Sequence, residues 1–188
     1  MDALEALLTR KSIAKLSEPG PSKSDLKSIM QAAMRAPDHA CLRPWRFVVF
    51  QDKMREELGE IFCEALTRKD ASATAAALEK EKKKPLRAPL VIAVIAKVSE
   101  HPKVPSIEQI LSAGAAAQNI MLAVHALGFG GIWRTGAPCF DAHVRARLGA
   151  VGSDEIVGFL YIGTPISVPP MPEFDPSNYI MEWKAAEK

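Results

Sequence analysis

Residues Pro105 to Thr135 read PSIEQILSAGAAAQNIMLAVHALGFGGIWRT. Ser106 and Gln109 have the S-x-x-Q spacing of a capping box, in which each side chain satisfies an early backbone N–H. That spacing predicts a helix opening at Ile107. Gly128 is the residue that turns left-handed at least cost, and it ends the helix. The span from Ile107 to Leu127 has 21 residues, a rod of roughly 30 Å at 1.5 Å per residue. Apolar or small side chains occupy nearly every face: Ile110, Leu111, Ala113, Ala115, Ala116, Ala117, Ile120, Met121, Leu122, Ala123, Val124, Ala126 and Leu127. A helix apolar all round lies inside a large core or between subunits. Glu108, Gln109, Gln118, Asn119 and His125 interrupt it too often for a membrane span. Along Ala113-Gly114-Ala115-Ala116-Ala117 no bulky side chain holds a second backbone away. The stretch therefore reads as the central helix of a packed core, at a dimer interface.

Upstream, Pro89-Leu90-Val91-Ile92-Ala93-Val94-Ile95-Ala96 is a continuous apolar run, as expected of a strand buried on both faces. Trp45-Arg46-Phe47-Val48-Val49-Phe50 reads as a second strand, Gly131-Ile132-Trp133-Arg134 as a short third, and Ile156 to Gly163 as another buried strand. Leu4, Leu7 and Leu8 form one face of a first helix that ends near Arg10-Lys11-Ser12. Ser22 and Asp25 open a second, with Leu26, Ile29, Met30 and Ala33 on its apolar face, and Pro37 bars its continuation. Met54, Leu58, Ile61, Phe62 and Ala65 define a third, and Asp141 to Leu148 a small fourth. Residues 67 to 84 leave helix and loop both open, and the run Glu79-Lys80-Glu81-Lys82-Lys83-Lys84 reads as a solvated helix end. Pro165, Pro169, Pro170, Pro172 and Pro176 keep the C-terminal segment extended. Such an arm needs a surface to lie on, and a partner subunit would supply one. Four strands among helices without regular alternation give an α+β class.

The 188 residues, 48% apolar and 24% charged, fit one globular domain, 1–188, with no internal repeat or linker. A formal charge of +2 gives no electrostatic case for nucleic acid. Cys41, Cys63 and Cys139 are odd in number and far apart, which argues against a disulfide framework or zinc site and for a reducing compartment. MDALEALLTR lacks the apolar region of a signal peptide, so a cytoplasmic location is expected and no membrane partner.

Gly128-Phe129-Gly130-Gly131 suggests a dinucleotide fingerprint, but that motif follows a strand and opens a helix, whereas this run closes a helix and enters a strand. Either it is a helix cap with a tight turn, or its backbone lies against something flat or large. Arg10, Lys11, Arg35 and Arg134 stand at element ends, and a phosphate would need at least two of them to converge. His39 sits in a proline-rich loop and His125 on the apolar helix. His101 and His143 have no ligand at metal spacing. Ser12, Ser112 and Thr135 have no evident base partner for a nucleophile.

Four ordered segments together resemble the FMN-dependent nitroreductase family, in particular its short, single-domain YdjA-type members. They are Leu8-Thr9-Arg10-Lys11-Ser12; Met34-Arg35-Ala36-Pro37-Asp38-His39 running on to Pro44-Trp45-Arg46-Phe47; Gly128 to Thr135; and Ile156 to Pro165. The resemblance implies a mixed, mainly antiparallel sheet flanked by helices, and a homodimer with FMN sites at its interface. Arg10, Lys11 and Ser12 would hold the flavin from one chain, with Arg10 and Arg134 paired on its phosphate, while Arg35 and His39 come from the other. Gly130 and Gly131 would lie against the isoalloxazine, and Trp133, Arg134 and Thr135 complete the cofactor set. Ala123, Val124, His125, Ala126, Leu127 and Gly128 would border the site of NAD(P)H, the co-substrate. A β-branched residue at Gly130 is then expected to block the ring while sparing the fold.

The implied activity is two-electron reduction of nitroaromatic, quinone-like or related small-molecule acceptors, by ping-pong hydride transfer through flavin N5. No side chain is required as catalyst and no metal is implied. The same resemblance would accommodate dehalogenation, enone reduction, flavin breakdown or a flavin-binding module without turnover. The sequence departs from the family pattern at Lys11, where a second arginine is usual, and at Arg43, where glutamine is usual. Cys41 is unusual in that loop, and residues 67–84 match poorly.

Overall fold

The computed structural model describes residues 1–184; positions 185–188 of the expected domain lie outside the described residues. At the centre is β3 (Leu90–Ala96), with all seven of its residues buried. Val91, Ala93 and Ile95 face one apolar cluster and Leu90, Ile92, Val94 and Ala96 the other, which is why the run shows no polar alternation. β3 pairs with β2 (Trp45–Gln51) on one side and β5 (Glu155–Pro165) on the other. β5 also takes β4 (Gly130–Arg134) and, at its C-terminal end, the two-residue β1 (Leu16–Ser17). Every pairing among the described residues is antiparallel, and the α+β class holds.

One face is covered by α3 (Met54–Lys69), through Leu58, Ile61, Phe62 and Ala65, and by Val144 of α7 (Ala142–Arg147). The other carries α2 (Lys23–Ala33) and α5 (Ser106–Ala126). α5 turns Ala113, Ala116, Ala117, Ile120, Met121 and Val124 to the sheet. Ile107 and Leu111 stay exposed. Most of the alanine stretch thus packs within the chain, Ala115 half-buried against the same cluster, and Gly114 is half-buried with no side chain of its own.

α5 keeps its predicted length, 21 residues, but starts one residue early and has no side-chain cap. Gln109 is buried instead. Its amide nitrogen donates to Ser99 O (2.8 Å) and Val104 O (3.1 Å), and its oxygen accepts from Ser99 N–H (3.0 Å). A buried amide with three hydrogen bonds outweighs a solvated capping box. Gly128 is left-handed as expected, φ 84°. In the ambiguous region α3 runs to Lys69, and a second helix, α4 (Ala75–Lys83), begins on the Thr74 cap. Gly59 lets α4 approach, since a Cβ there would stand 2.3 Å from Lys82 O.

β1 and the one-turn α6 (Ala137–Phe140) were not foreseen. α1 (Ala3–Thr9) buries only Ala6 and leaves Leu4, Leu7 and Leu8 exposed. From Ile166 to Lys184 every described residue is exposed, with a single 3-10 turn at Pro176–Tyr179.

Candidate active site

β4 reaches the surface between the two cores. Gly130 and Ile132 point to the α3 side, Gly131 and Trp133 to the α5 side. Where the strand ends, a cavity of about 300 Å3 opens against Phe62, Lys84, Arg87, Arg134, Thr135 and Tyr161, and Trp133 lines it as well. The Arg134 guanidinium carbon lies 5.9 Å from the Tyr161 ring centroid, within reach of a cation–π attraction. Burial pushes the Tyr161 hydroxyl up to about 12, against the opposing influence of Arg87 and Arg134, so it stays a neutral phenol. Lys84 is paired with Glu81 at 2.5 Å. Arg87 and Arg134 have no acidic partner among the described residues. The cavity is therefore electropositive, with an aromatic floor.

Lys84 closes the run that reads as a solvated helix end, and Arg87, three residues beyond it, carries no local signal of its own. The available signal was Pro85: a proline directly after the run and just before the buried strand marks a fixed junction. Pro85 is indeed buried, in a 3-10 turn spanning Pro85–Arg87.

A second group surrounds the start of β4. Ile13 N–H donates to Gly131 O at 2.9 Å, which ties Arg10, Lys11 and Ser12 alongside the strand. Lys11 Nζ donates to Pro169 O of the C-terminal arm at 2.8 Å. The Thr9 hydroxyl donates to Glu5 O (2.6 Å) and lies 2.8 Å from His125 Nε2; its one proton being spent, the imidazole must donate from Nε2. Burial, and then the charge of Arg10, hold His125 below its ordinary range. Arg10 and Arg134 thus have different neighbours in the single chain, the first beside His125 and the second beside Tyr161.

The third group stands apart from the cavity at the end of β4. Arg35 follows α2 and lines a groove with Asp2 and Leu7 at the N-terminal helix and Ala123 and Ala126 of α5. His39 Nδ1 is 2.8 Å from Glu108 Oε2 in the first turn of α5. No described contact joins either residue to Trp133, Arg134 or Thr135.

Two expectations need correction. A Cβ at Gly130 would lie 3.0 Å from Leu16 Cδ2 and Pro165 Cγ, and one at Gly131 would lie 3.0 Å from Met121 Cε. At both glycines side chains of the same chain already stand close, so a β-branched residue at Gly130 would also overpack its own chain, at about 1–3 kcal/mol, and would not spare the fold's stability. Val124, among the residues expected beside the nicotinamide, is 1% exposed and packs in the core. In that run only Ala126, Leu127 and Gly128 are exposed.

Residues 7–164 match the Nitroreductase family. The chain is 44% identical over 165 residues to the Escherichia coli K12 protein named "Putative NAD(P)H nitroreductase YdjA", an alignment covering 88% of this chain and 89% of that one. Its fold is similar to a nitroreductase-like family protein from Bacillus cereus (TM-score 0.82, 20% identity, 98% and 97% of the two chains). It is also similar to a Bacteroides fragilis nitroreductase solved with bound FMN (TM-score 0.72, 20% identity, 98% and 100%). By sequence, the chain belongs to the nitroreductase family of oxidoreductases.

Proposed function

We propose that this protein is an FMN-dependent NAD(P)H oxidoreductase, a single domain that works as a homodimer with a flavin site at each subunit boundary. The observation that carries the reading is the cavity at the end of β4. There Trp133, Arg134 and Thr135 meet Lys84 and Arg87 over a neutral tyrosine. Unpaired guanidinium groups suit the phosphate and the pyrimidine carbonyl oxygens of FMN, and a backbone strand end suits a flat ring. About 300 Å3 is at the small end of the ~300–1,000 Å3 range of small-molecule pockets. One chain thus offers part of a site, and Arg35 and His39, apart from it here, would complete it from the partner. The apolar outer faces of α1 and α5, and an arm without cover of its own, support the same assembly.

When bound, FMN would accept a hydride from NAD(P)H and pass it to a nitroaromatic, quinone-like or related acceptor. The chain's own residues hold, orient and tune. Arg10, Lys11 and Ser12 bind one end of the cofactor. Trp133, Arg134 and Thr135 frame the other, beside the closed backbone at Gly130 and Gly131. Arg87, without an acidic partner among the described residues, adds positive charge that favours the reduced, more anionic cofactor, while Lys84 is held by Glu81. His125, neutral and fixed by Thr9, borders the nicotinamide side with Ala123, Ala126, Leu127 and Gly128. Three free cysteines fit a reducing, cytoplasmic location. Among the described residues no helix is long and apolar enough to cross a membrane.

The experiment is a visible spectrum of the purified protein. It should show flavin bands, natively or after incubation with FMN, that bleach when NADH or NADPH is added without oxygen. Protein that remains colourless after FMN incubation overturns the proposal.

A further inference from the structure

The cavity at the end of β4 has a neighbour of about 280 Å3, and Phe62 and Pro138 stand in the walls of both. The Phe62 ring is held edge-on to Phe159, with centroids 5.2 Å apart and planes at 83°, so the partition between the two is stiff. Beyond it the lining changes character. Where the first cavity has Arg87 and Arg134, the second has Ala65 and Leu66 of α3 and Ala137 of α6. About 150 Å3 of apolar space holds a benzene ring, so this one has room for a body of two fused rings.

The charged groups of the second cavity are largely engaged. Both carboxylate oxygens of Glu81 accept from Lys84 Nζ at 2.5 Å. Asp70 Oδ1 accepts from the Ser72 N–H (2.9 Å) and hydroxyl (2.6 Å), and Asp141 Oδ1 from His143 N–H (2.9 Å) and Val144 N–H (3.1 Å). Lys69, also in the wall, offsets one of these two aspartates. One negative charge is left over, which leaves the space open to neutral rings and unfavourable to carboxylates. Lys69, Asp70 and Glu81 belong to the stretch 67–84 that departs from the family pattern.

We propose that this second cavity is the acceptor subsite: it takes the body of an uncharged aromatic acceptor of one or two rings, with the group to be reduced directed past Phe62 and Pro138. Leu66 and Ala137 set the size it admits, and Asp70 and Asp141 turn anionic acceptors away. That the occupant is an acceptor rests on the flavin reading above; the affinity for an uncharged ring does not.

The test follows the methyl signals of Ala65, Leu66 and Ala137 by NMR while the full chain is titrated with 2-naphthol or with the anionic 2-naphthoate. Saturable shifts are expected with 2-naphthol, and no saturation over the same range with 2-naphthoate. Leu66→Trp fills the cavity and should abolish the shifts of the two alanines. Ala137→Leu, at an exposed position of α6, narrows it from another side and should weaken the response even if Leu66→Trp does not fold. No saturation in the wild type, equal saturation by 2-naphthoate, or shifts untouched by the variants overturns the subsite. In FMN-loaded protein, either variant should lower kcat/KM for 1-nitronaphthalene about tenfold relative to nitrobenzene, as when about 60 Å2 of ring surface stays in water. An unchanged ratio overturns the acceptor assignment. If the protein takes up no flavin, the flavin reading fails, and the titration still decides the cavity.

Discussion

Replacing Gly158 by alanine strikes the one place where β5 makes room for the active-site strand. A Cβ at position 158 would lie 2.1 Å from Trp133 Nε1, 2.6 Å from Cδ1 and 3.2 Å from Arg134 O. The rigid indole cannot move aside as a chain end could, so it must leave its bed on the strand. Overpacking of this kind costs about 1–3 kcal/mol. The Trp133 Nε1–H bond to Val157 O, 3.2 Å, is lost for another ~0.5–1.5 kcal/mol. Alanine's smaller unfolded-state entropy returns about 0.4–1 kcal/mol. The balance is a destabilisation near ~2 kcal/mol, or a Tm lowered by about 4–8 °C for a chain of this length. Thermal melts by circular dichroism measure it, with tryptophan emission reporting the displaced indole. A Gly158→Ala protein that melts with the wild type and keeps its emission spectrum would refute the packing described for Trp133.

Arg134→Ala should weaken FMN binding by about 1.5–3 kcal/mol, roughly ten- to hundredfold, measured by quenching of flavin fluorescence; an unchanged affinity removes Arg134 from the cofactor set. His125 is held below its ordinary value of about 6.5, so the unfolded chain binds its proton first as pH falls. Its contribution to stability is complete above that value and declines as pH drops towards the folded one. Urea midpoints measured across the interval should show a slope that His125→Gln flattens, and an equal slope in the variant would assign it elsewhere. Leu111→Glu places a charge on the exposed face of α5 and should give a folded monomer by sedimentation. A dimer that survives it does not use this face.

What the sequence disclosed and what it hid divide along one physical line. The central helix, its glycine stop and the doubly buried strand were legible because caps and apolar runs are local signals. The capping box failed because Gln109 found three partners around Ser99 and Val104, contacts that no local pattern encodes. β1 was invisible for a similar reason: two residues become a strand only by pairing with Thr164 and Pro165, nearly the whole chain away. In the site, the residue types were readable but their company was not. Lys84 and Arg87 share the cavity of Arg134, while Arg10 stands beside His125 and Arg35 beside Arg43. At the glycines read as a close approach to a flat ring, the neighbours within the single chain are its own side chains, Leu16 and Pro165 at one and Met121 at the other.

The all-round apolar character of α5 has a further consequence under the proposed assembly. Its inner stripe is consumed by the sheet, yet Ile107 and Leu111 stay 58% and 63% exposed. Leu4, Leu7 and Leu8 of α1 and the apolar residues of the C-terminal arm are uncovered too. One chain is therefore short of cover for its apolar surface. A two-fold apposition would supply that cover, because in a self-complementary interface the same apolar patch of each copy covers the other, and this exposed surface is what supports the proposed dimer.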